Sequence, residues 1–139
     1  MALRLLWSYP YRMLMLIKKD RILVVDYDPE SRVILMRLLS LSDYEVETVE
    51  SGKEAIEQLK RAEFKLVLTD IVMPDMDGLE LLSHVKSHYP DIPVIMVTGR
   101  ASDESKKEAL ENGAEGLLLK PYTRDQLMTI VNESMAEKK

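Results

Sequence analysis

No cysteine occurs in the 139 residues. That excludes a disulfide framework and thiolate metal sites, and it suits a reducing compartment, the cytoplasm being the expected one. Long apolar runs are missing too. The most apolar stretch, "MALRLLWSYPYRMLMLI" at residues 1–17, is interrupted by Arg4, Pro10, Tyr11 and Arg12. Nothing approaches the roughly 20 apolar residues that a membrane-spanning helix needs, and no apolar core runs into a small-residue cleavage site as in a secretory signal. Positive charge is also in short supply. Against 24 Asp and Glu there are 19 Lys and Arg, a net charge of −5, so bulk attraction to nucleic acid or to an anionic membrane is not expected.

What remains is the composition of an ordinary water-facing globular chain, 46% apolar and 31% charged. Its length suits one domain able to bury roughly two-thirds of its unfolded surface. No internal repeat, low-complexity tract or second domain is visible. The domain is expected over residues 18–139. Residues 1–17 read as an extension, either poorly ordered or artificially added, with a short helix packed on the domain or on a partner, or a targeting segment, as alternatives.

From Arg21 onward the chain has a regular rhythm. The short runs "ILVV", "FKLVL", "VIMV" and "GLLL" read as strands buried on both faces. "YEVETVE" at 44–50 instead alternates, with Tyr44, Val46 and Thr48 against Glu45 and Glu47, as an edge strand does. Helix starts lie between them. Asp28 precedes Pro29 as an N-cap before a proline at N1. Ser51-x-x-Glu54 and Thr123-x-x-Gln126 are capping boxes, and Leu127, Ile130, Val131 and Met135 share a helical face. The expectation is an α/β fold of five β/α units, a doubly wound parallel sheet with helices on both faces.

Ligands of such sheets sit beyond the carboxyl ends of the strands. There the sequence places Asp26, Asp70, Thr98 and Lys120, the last followed by Pro121. Two carboxylates, a hydroxyl and an ammonium would thus converge from four strands, a set suited to a cation or a phosphate. Other polar residues have blander readings. Asp75 and Asp77 shape a loop and start a helix. His84 and His88 stand four apart on an exposed helix face without an acidic or thiol partner, and the nine methionines are core and loop filler.

"ILVVD", "LVLTDIVMPDMDGLELL", "PVIMVTG" and "GLLLKP" resemble the receiver domain of bacterial two-component response regulators, over about Asp20 to Glu137. The resemblance implies the flavodoxin-like strand order 2-1-3-4-5 and a phosphoacceptor signalling domain, not an enzyme beyond its own phosphotransfer and autodephosphorylation. Asp70 would accept a phosphoryl group from a histidine kinase or phosphotransfer protein. Lys120 would neutralise a phosphoryl oxygen, Thr98 would hydrogen-bond another, and Gly99 would leave an opening for the donor. Mg²⁺ is the implied cofactor, held by Asp26, Asp70 and the Val72 backbone carbonyl. The implied Lys120–Pro121 bond is cis. Output would pass to another domain or protein through the face made by the fourth helix, fifth strand and fifth helix, with a homodimer as a candidate assembly and neither nucleic acid nor membrane as a partner of this domain.

Two departures stand out. Tyr27 occupies the second position of the family's acidic pair, where a neutral phenol cannot replace a carboxylate as a Mg²⁺ ligand. Asp28 is a candidate substitute ligand, in competition with its capping role. Leu117 stands where response regulators usually carry an aromatic residue that reports phosphorylation. The alternatives are therefore a phosphorylation-independent interaction module on the same fold, and a D-x-D phosphatase using Asp26 and Asp28 in "DYDPE", a family that needs a later acidic pair and a longer chain.

Overall fold

Alternation within "RILVV" sends Ile22 and Val24 into one apolar cluster and Leu23 and Val25 into another, because successive strand residues point to opposite faces. The computed structural model describes residues 19–136, so the expectations for residues 1–17 lie outside the described residues. The strands are β1 (Arg21–Val25), β2 (Glu45–Val49), β3 (Leu66–Thr69), β4 (Val94–Thr98) and β5 (Gly116–Leu119). The helices are α1 (Pro29–Leu41), α2 (Gly52–Arg61), α3 (Gly78–His88), α4 (Asp103–Glu111) and α5 (Arg124–Ala136). All strand pairs are parallel, in the order β2-β1-β3-β4-β5.

One core fills the sheet face under α1 and α5, with Leu35, Leu39, Leu127 and Val131 against Leu66, Leu68, Ile95 and Val97. The other lies under α2, α3 and α4, with Ala55, Leu59, Leu81, Leu82, Val85 and Ala109 against Val67 and Met96. The chain steps outward from β1 to β2 and then crosses back to β3, so the topological switch point falls between β1 and β3.

Helix starts follow the capping signals. Asp28 accepts from the Glu30 amide at 3.1 Å, and Thr123 and Gln126 satisfy each other's amides at 2.8 and 3.1 Å. Ser51 accepts from the Glu54 amide, while the Glu54 carboxylate reaches back to the Glu50 amide, one residue beyond the reciprocal pattern. Asp77 caps α3 by accepting from the Glu80 amide at 2.9 Å, and Asp75 sits in the preceding loop at φ 68°.

One expectation needs correction. "GLLL" is not buried on both faces: β5 is the second edge strand, and Leu119 is 45% exposed. A four-residue apolar run looks the same at an edge as in the middle of a sheet, since only its neighbours distinguish the two.

Candidate functional site

Parallel register fixes which side chains meet. Val25 pairs with Thr69, and the Asp70 amide donates to the Val25 carbonyl at 3.0 Å, so Asp26 and Asp70 emerge side by side at the switch point. Thr98 pairs with Leu119, and the Lys120 amide donates to the Thr98 carbonyl at 2.9 Å. The Lys120–Pro121 peptide is cis.

Lys120 Nζ donates to Asp26 Oδ2 at 2.7 Å and to Asp70 Oδ2 at 3.4 Å. Asp26 is 1% exposed, and its other oxygen accepts from the Asp28 amide at 2.9 Å. A buried carboxylate needs such company, since an unpaired charge there is costly. Asp70 is held unevenly: Oδ1 accepts from the Ile71 and Val72 amides at 2.7 and 3.3 Å, whereas Oδ2 faces the ammonium. Thr98 is buried with its hydroxyl turned into its own loop, donating to the Arg100 carbonyl at 3.1 Å and accepting from the Arg100 amide at 3.2 Å. The structure therefore joins Asp26, Asp70 and Lys120 directly and keeps Thr98 occupied at the same rim.

The remaining residues of the first loop point elsewhere. Tyr27 is 59% exposed, and the Asp28 carboxylate caps α1, which leaves the D-x-D phosphatase reading without a free acid/base. Among the described residues no group of three or more acidic or histidine side chains is placed to hold a metal ion. His84 and His88 stack at 4.1 Å between ring centroids, and His88 Nδ1 lies 3.0 Å from the His84 carbonyl oxygen.

Sequence reasoning passed over two supports. Arg32 Nη1 donates to the Asp26 and Tyr27 carbonyls at 2.8 and 3.0 Å, clamping the loop between β1 and α1. Its place one turn into α1, six residues after Asp26, was the available signal. Gly78 donates its amide to the Ile71 carbonyl at 2.8 Å and lies so close to β3 that a Cβ there would overlap the Asp70 carbonyl oxygen. The glycine opening α3 in "MDGLELL" was the corresponding clue.

Comparison with known proteins settles the family. The sequence profile of the response regulator receiver domain matches residues 22–132. The chain belongs to the response regulator receiver domain family. It is 40% identical over 115 residues to the transcriptional regulatory protein ZraR of Klebsiella oxytoca, covering 83% of this chain and 26% of that protein. A CpxR homolog of Haemophilus influenzae is 37% identical over 109 residues, covering 78% of this chain and 47% of the relative. Among solved structures, a CheY-like receiver domain protein from Methanospirillum hungatei matches with a TM-score of 0.84 at 34% identity, over 87% of this chain and 97% of that one. The chain thus spans about a quarter of ZraR and about half of the CpxR homolog. Among the described residues no helix is long and apolar enough to cross a membrane.

Receiver domains are signalling domains that generally bind Mg²⁺ at the phosphorylation site. Two of the side chains present in this receiver suit such an ion. Asp26 and Asp70 supply hard carboxylate oxygens, and Mg²⁺ is commonly held by one or two carboxylates with water and phosphate completing the shell. The third acid is replaced by an outward-facing phenol, and an ammonium already sits on Asp26 Oδ2.

The same cluster sets an alkaline limit. Burial works to lower the Lys120 pKa, but the hydrogen bond and charge of Asp26, together with Asp70, outweigh it and raise it above its ordinary value. Burial, and then the charge of Asp26, push the Tyr122 phenol up to about 12. Burial and then Asp20 raise Tyr44 as well. Above the ordinary values the unfolded chain has lost these protons while the folded chain keeps them, so stability falls as pH rises. The melting temperature should drop between pH about 10 and about 12, and Tyr122→Phe should flatten that drop. An equally steep fall in the variant would exclude Tyr122 as a contributor.

Proposed function

We propose that this receiver domain accepts a phosphoryl group on Asp70 from the phosphohistidine of a histidine kinase or phosphotransfer protein, with Mg²⁺ affinity weakened by Tyr27. The uneven hold on the Asp70 carboxylate carries the reading. Two amides fix Oδ1, which leaves Oδ2 as the nucleophile beside Lys120. Oδ2 attacks phosphorus in line, the O–P bond forms as the P–N bond breaks, and the leaving imidazole keeps the electron pair.

The ammonium of Lys120 is already within reach of the incoming oxygens and offsets their charge. Thr98 rotates off the Arg100 carbonyl to donate to a phosphoryl oxygen. At Gly99 a Cβ would meet only the Lys120 Cβ, at 3.8 Å, so the approach for a donor is open. Mg²⁺, when held by Asp26, Asp70 and the Val72 carbonyl, supplies further charge neutralisation at the transferring group. Leu117 is partly buried against the core under α2, α3 and α4 and carries no polar tip. Coupling to an output through the α4–β5–α5 face then relies on movement of the loops after β4 and β5.

Tyr27 and Leu117 favour a second reading, a receiver used as an interaction module without phosphorylation. Treating the purified protein with radiolabelled acetyl phosphate, with and without Mg²⁺, separates the two. Label on Asp70 supports the first reading, and no label under either condition supports the second.

The cation site has its own test. Tyr27→Asp restores an acidic pair at an exposed position. One added unit charge about 4 Å from a dication contributes about 2 kcal/mol at water-like dielectric, or about thirtyfold in affinity. Calorimetric titration with Mg²⁺ should show that gain. Equal affinity in the two forms would mean that Asp28 or water already replaces the missing ligand.

A further inference from the structure

Three successive carbonyls of the loop between β1 and α1 end on one residue. Arg32 Nη1 donates to the Asp26 and Tyr27 carbonyls at 2.8 and 3.0 Å, and the Arg32 amide donates to the Asp28 carbonyl at 3.1 Å. Only the last is an ordinary first-turn helix bond. The other two use both hydrogens of one guanidinium nitrogen on main-chain oxygens. Among the described residues Arg32 is the only donor to the Tyr27 carbonyl. The Tyr27 side chain is itself turned to solvent, so it does little to hold the loop.

What this clamp fixes is the direction of the Asp28 N–H. The peptide unit from Tyr27 to Asp28 is trans and planar, so its carbonyl and its N–H point opposite ways. With the Tyr27 oxygen drawn to Arg32, the Asp28 N–H is turned toward Asp26, where it donates to Oδ1 at 2.9 Å. That bond anchors one oxygen of a buried carboxylate and leaves Oδ2 to Lys120 Nζ at 2.7 Å. The ammonium so held stands 3.4 Å from Asp70 Oδ2. One line of contacts thus runs from Arg32 through the Tyr27–Asp28 peptide to Asp26, Lys120 and Asp70.

We infer that Arg32 is a positioning residue for phosphoryl transfer. It bonds to neither Asp70 nor Lys120, and through the Tyr27–Asp28 peptide it sets the Asp26 carboxylate and with it the Lys120 ammonium. Its effect on rate rests on Asp70 being the phosphoacceptor; its effect on geometry does not. Without the clamp the peptide unit is free to turn its N–H away from Asp26. Oδ1 then loses its donor, and Lys120 follows the freed carboxylate. Misplacement of this kind, caused away from the reacting atoms, lowers a rate by up to about a hundredfold.

Two readouts separate the clamp from the chemistry. Arg32→Met should move the Asp28 amide proton upfield in the NMR spectrum and remove its protection from exchange, whether or not Asp70 takes phosphate. With acetyl phosphate and excess Mg²⁺, labelling at saturating donor should slow about tenfold, while the half-saturating donor concentration stays the same. Arg37→Met takes the same charge from an exposed position of α1 and should alter neither readout. Across Arg32→Lys and Arg32→Met, amide shift and rate should change together, with melting temperatures within a few degrees of the parent. An Asp28 amide unmoved in Arg32→Met would overturn the inference. So would a displaced amide with an undiminished rate, or an equal loss of rate in Arg37→Met. A parent that takes no label would count against the phosphoacceptor reading instead, and the amide would still decide what Arg32 holds.

Discussion

Asp70→Asn is expected to abolish acyl phosphate formation without unfolding the protein. The amide oxygen of Asn can take the place of Oδ1 and accept from the Ile71 and Val72 amides, so the loop after β3 keeps its anchors. The NH₂ group then falls where Oδ2 was, beside Lys120 Nζ. An amide nitrogen has no lone pair for attack on phosphorus, and the ammonium that neutralised a carboxylate now faces a donor. Loss of all label from acetyl phosphate is the predicted result, with Lys120 still paired to Asp26 at 2.7 Å and the melting temperature within a few degrees of the parent. Label that persists in Asp70→Asn and disappears only in Asp26→Asn would transfer the nucleophile to β1 and overturn the proposed chemistry.

Gly78→Ala is expected to cost more than any exposed substitution. A Cβ at residue 78 would overlap the Asp70 carbonyl oxygen and stand 2.8 and 2.9 Å from Asp70 C and Ile71 Cα. These are backbone atoms at the end of β3, so no rotamer change relieves the contact. The loop must move, and the 2.8 Å bond from the Gly78 amide to the Ile71 carbonyl moves with it. Overpacking of this kind costs about 3 kcal/mol at the upper end of its usual range, which corresponds to a loss of roughly 10 °C in melting temperature for a chain of this size. Because the displaced atoms belong to Asp70 itself, labelling should slow in parallel. By contrast, Gly52 would press a Cβ mainly on the end of the Met76 side chain, which can turn away, so Gly52→Ala should be the milder change. Wild-type melting and labelling in Gly78→Ala would show that the loop after β3 yields without cost.

Much of this is legible in the sequence alone, for local reasons. Capping residues act within one turn, so Asp28, Ser51 and Thr123 announced their helices. The alternation of Tyr44, Val46 and Thr48 with Glu45 and Glu47 marked a strand with one wet face. Strand ends bearing Asp26, Asp70, Thr98 and Lys120 followed from where each apolar run stopped, and the family's motif spacing supplied the strand order.

Other features had no local signature. "GLLL" carried no mark of its edge position, because exposure of Leu119 depends on which strands flank β5, and among the described residues only β4 does. That Asp28 bonds the Glu30 amide and caps α1 is seen only once the loop after β1 is folded.

The sequence by itself determined the period of each element, the chemistry at each strand end and the replacement of an acid by Tyr27, because these depend on residue type and short spacing. Only the tertiary structure decided how those groups share one another. Lys120 reaches Asp26 and Asp70 across 94 and 50 residues of chain, closer to the first than to the second. Thr98 spends its hydroxyl on Arg100, Arg32 clamps two carbonyls, and Gly78 is confined by Asp70's own backbone. Each of these turns on parallel register across the switch point, where a shift of a single residue would turn every strand-end side chain to the opposite face.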